Sequence, residues 1–211
     1  MSKAIFLGSF NPPHIGHYNC IKSFIDSNLM ETLGIDKIHI IPCYQNPNKN
    51  KTIDYIHRYK MCVEMFMDLI ANELVSIDDI EDEMCPKYTY ELIEHFKSNK
   101  DPYIKDDFWW IITEETYKEL IDNKWKNSQW LLSNNQFIII YENKNNELSE
   151  SIRLNLSKLL WNEKSIIIPL NKSIDIHSTQ LREYIKNGQS IEEYTNKNVQ
   201  KYIEENNLYK Y

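Results

Sequence analysis

The chain has 211 residues, 12% of them aromatic, and a formal net charge of −7. This length suits a single domain with one core, and the aromatic content argues against disorder. The negative charge argues against a broad basic face for duplex nucleic acid, because phosphate contacts need clustered Lys and Arg. We therefore expect one domain over residues 1–211, with a helical part from about 178 to 211.

The cysteines and the apolar runs indicate a cytoplasmic protein with no membrane partner. Cys20, Cys43, Cys62 and Cys85 form no Cys-x-x-Cys pair, which argues against a structural zinc site or a disulfide framework. We interpret them as buried thiols in a reducing compartment. No apolar run approaches the roughly 20 residues that span a membrane.

Predicted strands and helices alternate along the chain. Strands are predicted at 3–7, 37–42, 74–77, 108–112, 137–141 and 165–168. Helices are predicted at 16–29, 56–70, 89–96, 114–121, 149–160, 179–187 and 198–205. Residues 44–52 and 143–150 are polar and predict loops. This alternation predicts an α/β fold with a doubly wound parallel sheet, whose ligand crevice lies beyond the carboxyl ends of the strands.

Within the second predicted helix, apolar residues recur at three- and four-residue spacings: Ile56, Tyr59, Val63, Phe66 and Ile70. This spacing predicts that they form one face of an amphipathic helix.

The junction between the first strand and the first helix carries the string GSFNPPHIGH, residues 8–17. Gly8 allows the backbone to approach a phosphate, and the helix N-terminus presents N–H groups and partial positive charge. His14 and His17 can donate to phosphoryl oxygens and stabilise charge that develops at the α-phosphorus. Gly16 leaves room for a flat purine. The alternatives are surface histidines at a simple junction, or a metal pair spaced i, i+3.

A second string, IHSTQLR at residues 176–182, opens a helix after the last predicted strand. Hydroxyls and N–H groups at this helix start suit the β- and γ-phosphates, and Arg182 lies one turn in, where it can reach the same anion. The alternative is a helix capped by Ser178 or Thr179 with an exposed arginine.

The first string resembles the H-x-G-H signature of nucleotidyltransferases, in the spelling typical of nicotinate and nicotinamide mononucleotide adenylyltransferases. The second resembles the family's I-S-S-T-x-[IV]-R motif, with His177 in place of the first serine. The resemblance implies a Rossmann-like nucleotidyltransferase fold in which His14, His17 and Arg182 are catalytic. It implies that ATP is bound by Gly8, Ser9, Phe10, His14, Gly16, His17, Lys49, His177, Ser178, Thr179 and Arg182.

Weaker matches in the middle of the chain concern the second substrate. Residues 86–89 (PKYT) resemble the family's S-Y-T element, and Trp125 aligns with a tryptophan that stacks on the pyridine ring. The resemblance implies that the mononucleotide contacts Ser9, Phe10, Tyr88, Thr89 and Trp125.

Two lysines and an arginine have open interpretations. Residues 46–49 (NPNK) resemble a basic P-H-[KR] loop, so that Lys49, or Lys51 instead, approaches the triphosphate or is simply solvated. Arg58 matches an arginine common in the family, and we interpret it as part of an ion pair on the helix surface.

One segment departs from the family pattern. Where relatives carry Gly-x-Asp near the adenylate, this chain has Thr113-Glu114-Glu115. A β-branched Thr113 in place of glycine predicts a shifted backbone, and whether Glu115 replaces the aspartate stays open.

Taken together, the resemblance implies transfer of AMP from ATP to nicotinate or nicotinamide mononucleotide, giving deamido-NAD or NAD and pyrophosphate. Mg²⁺ is expected to be held mainly by phosphates, with no protein metal site. The alternatives are another H-x-G-H enzyme, such as a pantetheine-phosphate adenylyltransferase or a cytidylyltransferase, and a non-catalytic nucleotide-binding relative. The preferred mononucleotide and the oligomeric state, a homo-oligomer included, stay open.

Overall fold

A computed structural model describes residues 2–45, 52–86, 88–98, 108–142 and 165–210. Six parallel strands form one sheet in the order β3-β2-β1-β4-β5-β6. They are β1 Ser2–Gly8, β2 Ile35–Pro42, β3 Val75–Ile77, β4 Phe108–Thr113, β5 Gln136–Tyr141 and β6 Ser165–Pro169. This order is that of a Rossmann-like sheet and confirms the predicted fold class.

The described helices are α1 Ile15–Asp26, α2 Leu29–Thr32, α3 Tyr55–Met65, α4 Met67–Ala71, α5 Ile80–Met84, α6 Thr89–Lys97, α7 Glu114–Ile121, α8 Ser128–Asn134, α9 Ser178–Lys186 and α10 Lys197–Glu205. Of the seven predicted helices, the one at 114–121 is confirmed with the same ends, four are confirmed with shifted ends, and the one at 56–70 is divided into α3 and α4, whereas α2, α5 and α8 were not predicted. Gly188 after α9 has φ +68°, as a helix-ending glycine should. The predicted helix at 149–160 and the predicted loop at 143–150 lie outside the described residues.

Helices cover both faces of the sheet. Ala4 and Phe6 belong to one buried cluster with Phe24 of α1, and the intervening Ile5 belongs to a second cluster with Phe96 of α6. Successive side chains of a strand point to opposite faces, so β1 contributes to two cores. Within the described residues, no helix is both long enough and apolar enough to cross a membrane.

The apolar spacing at 56–70 predicted the buried face only in part. Phe66 is fully buried, but Ile56 is 51% exposed, and the buried residues of α3 include Arg58 and Met61. The helix also ends at Met65, and a separate helix begins at Met67. Counting apolar residues missed part of the face because the buried side of α3 contains a charged residue.

The prediction of four buried thiols is wrong for two of them. Cys20 and Cys62 are buried, Cys43 is half-buried and Cys85 is exposed. Cys43 follows the end of β2 and Cys85 follows the end of α5. Both therefore lie just beyond regular elements rather than within a packed face.

Candidate active site

An open cleft of about 1530 Å³ lies at the carboxyl edge of the sheet. Its lining includes Gly8 at the end of β1, Thr113 at the end of β4, Ile140 in β5, and residues 177–180 at the start of α9. The strand order reverses between β1 and β4, where ligands bind in sheets of this type. The cleft exceeds the roughly 300–1,000 Å³ of a site for one small ligand, so it has room for two substrates.

The two histidines lie together at the start of α1, in a segment that we call the histidine turn (residues 9–17). The ring centroids of His14 and His17 are 3.8 Å apart, and the backbone N–H of His14 donates to Nδ1 of His17 at 3.1 Å. A Cβ at Gly16 would lie 2.9 Å from the His14 ring. Gly16 therefore makes room for the His14 imidazole, and its contact with a purine stays a prediction.

Burial keeps His14 neutral. Its side chain is 7% exposed, and Nδ1 has no hydrogen-bond partner among the described residues. Burial, and to a lesser extent the nearby His177, lowers the pKa of His14 to about 3. A neutral imidazole can still donate one ring N–H, and an anion placed beside it would favour its protonated form.

The buried ring of Phe10 packs against the histidine turn. Its side chain is 1% exposed, its φ is +46°, and its ring centroid lies 4.9 Å from that of His17. A Cβ at Gly8 would lie 2.8 Å from the Phe10 ring, so glycine is required for this packing. Ser9 lines the cleft and Phe10 does not, so the predicted ligand contacts of Phe10 stay a prediction.

The second sequence motif meets the histidine turn. Ser178 Oγ donates to the carbonyl of Pro12 at 2.9 Å, and Arg182 Nη1 donates to the carbonyl of Asn11 at 2.8 Å. Arg182 Nη2 donates to Thr179 Oγ1 at 3.1 Å. Segments from opposite ends of the chain are thus brought to one edge of the cleft.

The start of α9 is capped by its preceding residue. His177 is the N-cap, and its N–H donates to Oε1 of Gln180 at 2.8 Å. Ser178 and Thr179 stand in the first turn instead, where they line the cleft together with His177. Arg182 is not part of that lining.

Arg58 is buried, and its interpretation as part of a surface ion pair is wrong. The side chain is 1% exposed. Its guanidinium donates to the carbonyls of Ser9 at 2.9 Å, Cys43 at 2.5 Å, Tyr44 at 2.8 Å and Ile53 at 3.2 Å. A buried cation requires such partners, and these bonds tie the histidine turn to the segment that follows β2.

Glu81 is a residue of the cleft that the sequence did not reveal. It is 3% exposed, and its Oε2 accepts the N–H of Tyr44 at 2.5 Å. Burial raises the pKa of Glu81 to about 7, although the N–H of Tyr44 and the charge of Arg58 act in the opposite direction. The only sequence signal was an acidic run at 78–83, which is typical of a solvated surface.

Tyr88, Thr89 and Trp125 all line the cleft. Tyr88 is the N-cap of α6, and its N–H donates to Oε2 of Glu91 at 3.2 Å. Trp125 Nε1 donates to Oε2 of Glu119 at 2.8 Å, which fixes the orientation of the indole. These predicted residues are therefore brought to the same cleft as the histidine turn. Lys49 and Lys51 lie outside the described residues.

In the segment that departs from the family pattern, Thr113 has a local structural role. Thr113 is the N-cap of α7, and its Oγ1 accepts the N–H of Thr116 at 3.3 Å. Thr113 also continues the ladder of β4 by pairing with Ile140. Glu115 is exposed and lines the cleft, and its replacement of the family aspartate stays a prediction.

The parallel sheet, the paired histidines and the cleft at the strand ends define a nucleotidyltransferase. The family model described as cytidylyltransferase-like matches residues 5–184. The chain is 34% identical to a probable nicotinate-nucleotide adenylyltransferase of Fusobacterium nucleatum, with 97% of each chain covered. It is 32% identical to one of Clostridium acetobutylicum, with 98% of each covered. The chain belongs to the nicotinate-nucleotide adenylyltransferase family.

Solved structures share the fold. Plasmodium falciparum nicotinic acid mononucleotide adenylyltransferase, complexed with NaAD, has a TM-score of 0.73 and 22% identity, covering 99% of this chain and 97% of that one. A putative nicotinate-nucleotide adenylyltransferase from Vibrio parahaemolyticus has a TM-score of 0.62 and 20% identity, covering 100% and 96%. Both cover nearly the whole chain, so the likeness extends beyond the sheet.

Proposed function

We propose that the chain transfers AMP from ATP to nicotinate mononucleotide, forming deamido-NAD and pyrophosphate for NAD biosynthesis. The observation that carries this proposal is the meeting of the histidine turn with the start of α9, where Ser178 Oγ lies 2.9 Å from the Pro12 carbonyl oxygen at the cleft. Relatives named for the nicotinate substrate support nicotinate over nicotinamide mononucleotide.

In the proposed reaction the phosphate of the mononucleotide is the nucleophile. One of its oxygens forms a bond to the α-phosphorus of ATP, while the bond from that phosphorus to the bridging β-phosphate oxygen breaks. Pyrophosphate leaves with the electron pair. An ionised phosphate is nucleophilic at neutral pH without a general base, so the protein acts through positioning and charge stabilisation.

Two groups of residues hold the triphosphate in this proposal. His14 and His17 donate to the oxygens of the α-phosphate, beside backbone groups of residues 8–10. The N–H groups of Ser178 and Thr179, together with the side chains of His177 and Thr179, hold the β- and γ-phosphates at the start of α9. Arg182 donates to Asn11 and Thr179 beside the cleft, and its guanidinium is proposed to turn a further N–H towards the same phosphates when ATP binds. Lys49 is proposed to approach the same anion.

Mg²⁺ is proposed to enter as part of the ATP complex. Among the described residues, no group of three or more His, Cys, Asp or Glu side chains is arranged to hold a metal ion. We assign its coordination mainly to phosphate oxygens and waters, which is the usual arrangement for this ion with nucleotides.

The mononucleotide is assigned to the side of the cleft lined by Ser9, Tyr88, Thr89 and Trp125. The indole of Trp125 offers a flat apolar face to the pyridinium ring, which carries positive charge. Its orientation is set by Glu119 before any ligand arrives.

The assignment is tested by measuring pyrophosphate release from MgATP with three acceptors separately: nicotinate mononucleotide, nicotinamide mononucleotide and phosphopantetheine. We expect the highest kcat/KM with nicotinate mononucleotide. A preference for phosphopantetheine would place the chain with the alternative nucleotidyltransferases. No release with any acceptor would indicate a non-catalytic relative.

A further inference from the structure

Among the described residues, at least four hydrogen bonds connect the histidine turn to residues 178–209. Two of them come from the side chains of Ser178 and Arg182. In the third, the N–H of Ile15 donates to the carbonyl of Tyr194 at 2.8 Å. In the fourth, the hydroxyl of Tyr209 donates to Oδ1 of Asn11 at 2.9 Å. In the last bond both the donor and the acceptor are side-chain atoms, whereas in each of the other three the acceptor is a main-chain carbonyl.

The bond between Tyr209 and Asn11 is well protected. Asn11 is 2% exposed, so water does not compete with Tyr209 for its amide oxygen. Burial raises the pKa of the Tyr209 phenol well above its ordinary value, although the charges of Arg182 and Arg58 act to lower it. The phenol is therefore protonated, and it donates to Asn11 throughout the physiological pH range.

Tyr209 reaches Asn11 from an unfavourable backbone conformation. Its φ is +64°, in the left-handed region that bulky residues rarely adopt. Phe10, immediately before Asn11, also has a positive φ, of +46°. Unfavourable conformations of this kind persist where the surrounding contacts impose them, and they concentrate at functional sites.

We propose that Tyr209 is a positioning residue for AMP transfer. Its hydroxyl holds Asn11, and Asn11 precedes His14 by three residues in the same turn, so the bond sets where both imidazoles stand. This inference rests on the proposed function. A displacement of about 1 Å in a positioned group can lower a rate by about 10²-fold, so a single distant hydroxyl can control turnover without touching a substrate.

The chain offers a matched control for this hydroxyl. Tyr202 of α10 also makes one hydrogen bond through its hydroxyl, to Nδ1 of His57 at 3.0 Å. That bond joins α10 to α3 and does not reach the histidine turn. Tyr209→Phe and Tyr202→Phe therefore each remove one phenolic hydroxyl and its hydrogen bond. The bond lost in Tyr209→Phe holds the histidine turn, and the bond lost in Tyr202→Phe does not.

Steady-state kinetics with MgATP and nicotinate mononucleotide test the inference. We expect Tyr209→Phe to lower kcat by about tenfold or more, with KM for the mononucleotide unchanged. Tyr202→Phe should stay within about twofold of the unsubstituted protein in kcat. If Tyr209 had only a structural role, the substitutions would shift the thermal midpoints of unfolding. The two variants would then have equal kcat values at temperatures below those midpoints. Equal kcat values for the two variants overturn the inference.

An independent readout separates this inference from the proposed function. In proton–carbon NMR spectra of the ligand-free protein, we expect the imidazole signals of His14 and His17 to move in Tyr209→Phe and not in Tyr202→Phe. Unmoved signals overturn the positioning role, whatever the kinetics show. If the signals move but the unsubstituted protein forms no deamido-NAD, the proposed function fails and the coupling of Tyr209 to the histidines stands.

Discussion

The two sides of the cleft are held in different ways. On the histidine side, Arg58, Ser178 and Arg182 all donate to main-chain carbonyls of residues 9–12. On the tryptophan side, the indole of Trp125 donates to Glu119, and the main chain of Trp125 is hydrogen-bonded to Ser128. The bonds on the histidine side join segments that are distant in the chain, whereas these bonds of Trp125 join residues within six positions of one another. We infer that the tryptophan side can change its substrate contacts with less effect on the fold.

Among the substitutions that test this difference between the two sides, Arg58→Met should have the largest effect. Removing the guanidinium removes its hydrogen bonds to four main-chain carbonyls and leaves Glu81 without its neighbouring cation, which should lower the free energy of unfolding by about 3–5 kcal/mol. Urea unfolding measures this change. Lys60→Met is the control, because Lys60 is exposed on the same helix and should change stability by less than about 0.5 kcal/mol. Equal losses in both variants would show that the bonds of Arg58 do not hold the turn.

His17→Ala should act on the reaction rather than on the fold. We expect kcat to fall by about 10²–10³-fold, the usual effect of removing one donor that stabilises developing charge, with a much smaller loss of stability. His95→Ala on α6 is the control, because His95 does not line the cleft. Near-normal turnover in His17→Ala would contradict the assignment of the histidine turn to the α-phosphate.

Glu81 should make stability depend on pH. The folded protein keeps a proton on Glu81 up to about pH 7, whereas the unfolded chain loses it near pH 4.5. Protonated Glu81 therefore contributes at most about 3 kcal/mol to the free energy of unfolding. This contribution is present below pH 4.5 and is lost as the pH rises through 7. In Glu81→Gln this loss should disappear from unfolding curves recorded across that range. The exposed Asp82→Asn should keep the original slope, and an unchanged slope in Glu81→Gln would show that another group causes the pH dependence.

The smallest effect is expected on the tryptophan side. Trp125→Leu should weaken binding of the mononucleotide by about 1–2 kcal/mol, since stacking of a base on an aromatic side chain contributes about that much. KM for the mononucleotide should therefore rise about 5- to 30-fold, with KM for ATP unchanged. Trp130→Leu in α8 is the control, because Trp130 does not line the cleft. A rise in both KM values would argue that Trp125 supports the whole cleft.

The sequence predicted the elements that rest on local patterns. The strand runs, the helix at 114–121 and the string at 8–17 were identified correctly, because periodicity and turn residues are visible over short stretches. Arg58 was misinterpreted and Glu81 was missed because their partners are distant in the chain: Arg58 and its acceptor Ser9 are 49 positions apart. A buried charge looks like a surface charge until its partners are known. The face of α3 was predicted incompletely for the same reason.

The sequence separation of the contacts around the histidine turn has a consequence for synthesis. The bond from Ser178 to Pro12 spans 166 positions, and the bonds to Asn11 from Arg182 and Tyr209 span 171 and 198 positions. Chains are made from the amino terminus, and contacts of such long range form late because their loop closure is costly. On a ribosome, the histidine turn is made 166 to 198 positions before these partners. A nascent chain that stops short of α9 therefore lacks a completed turn, and the protein should acquire its full activity only after residue 209 has emerged.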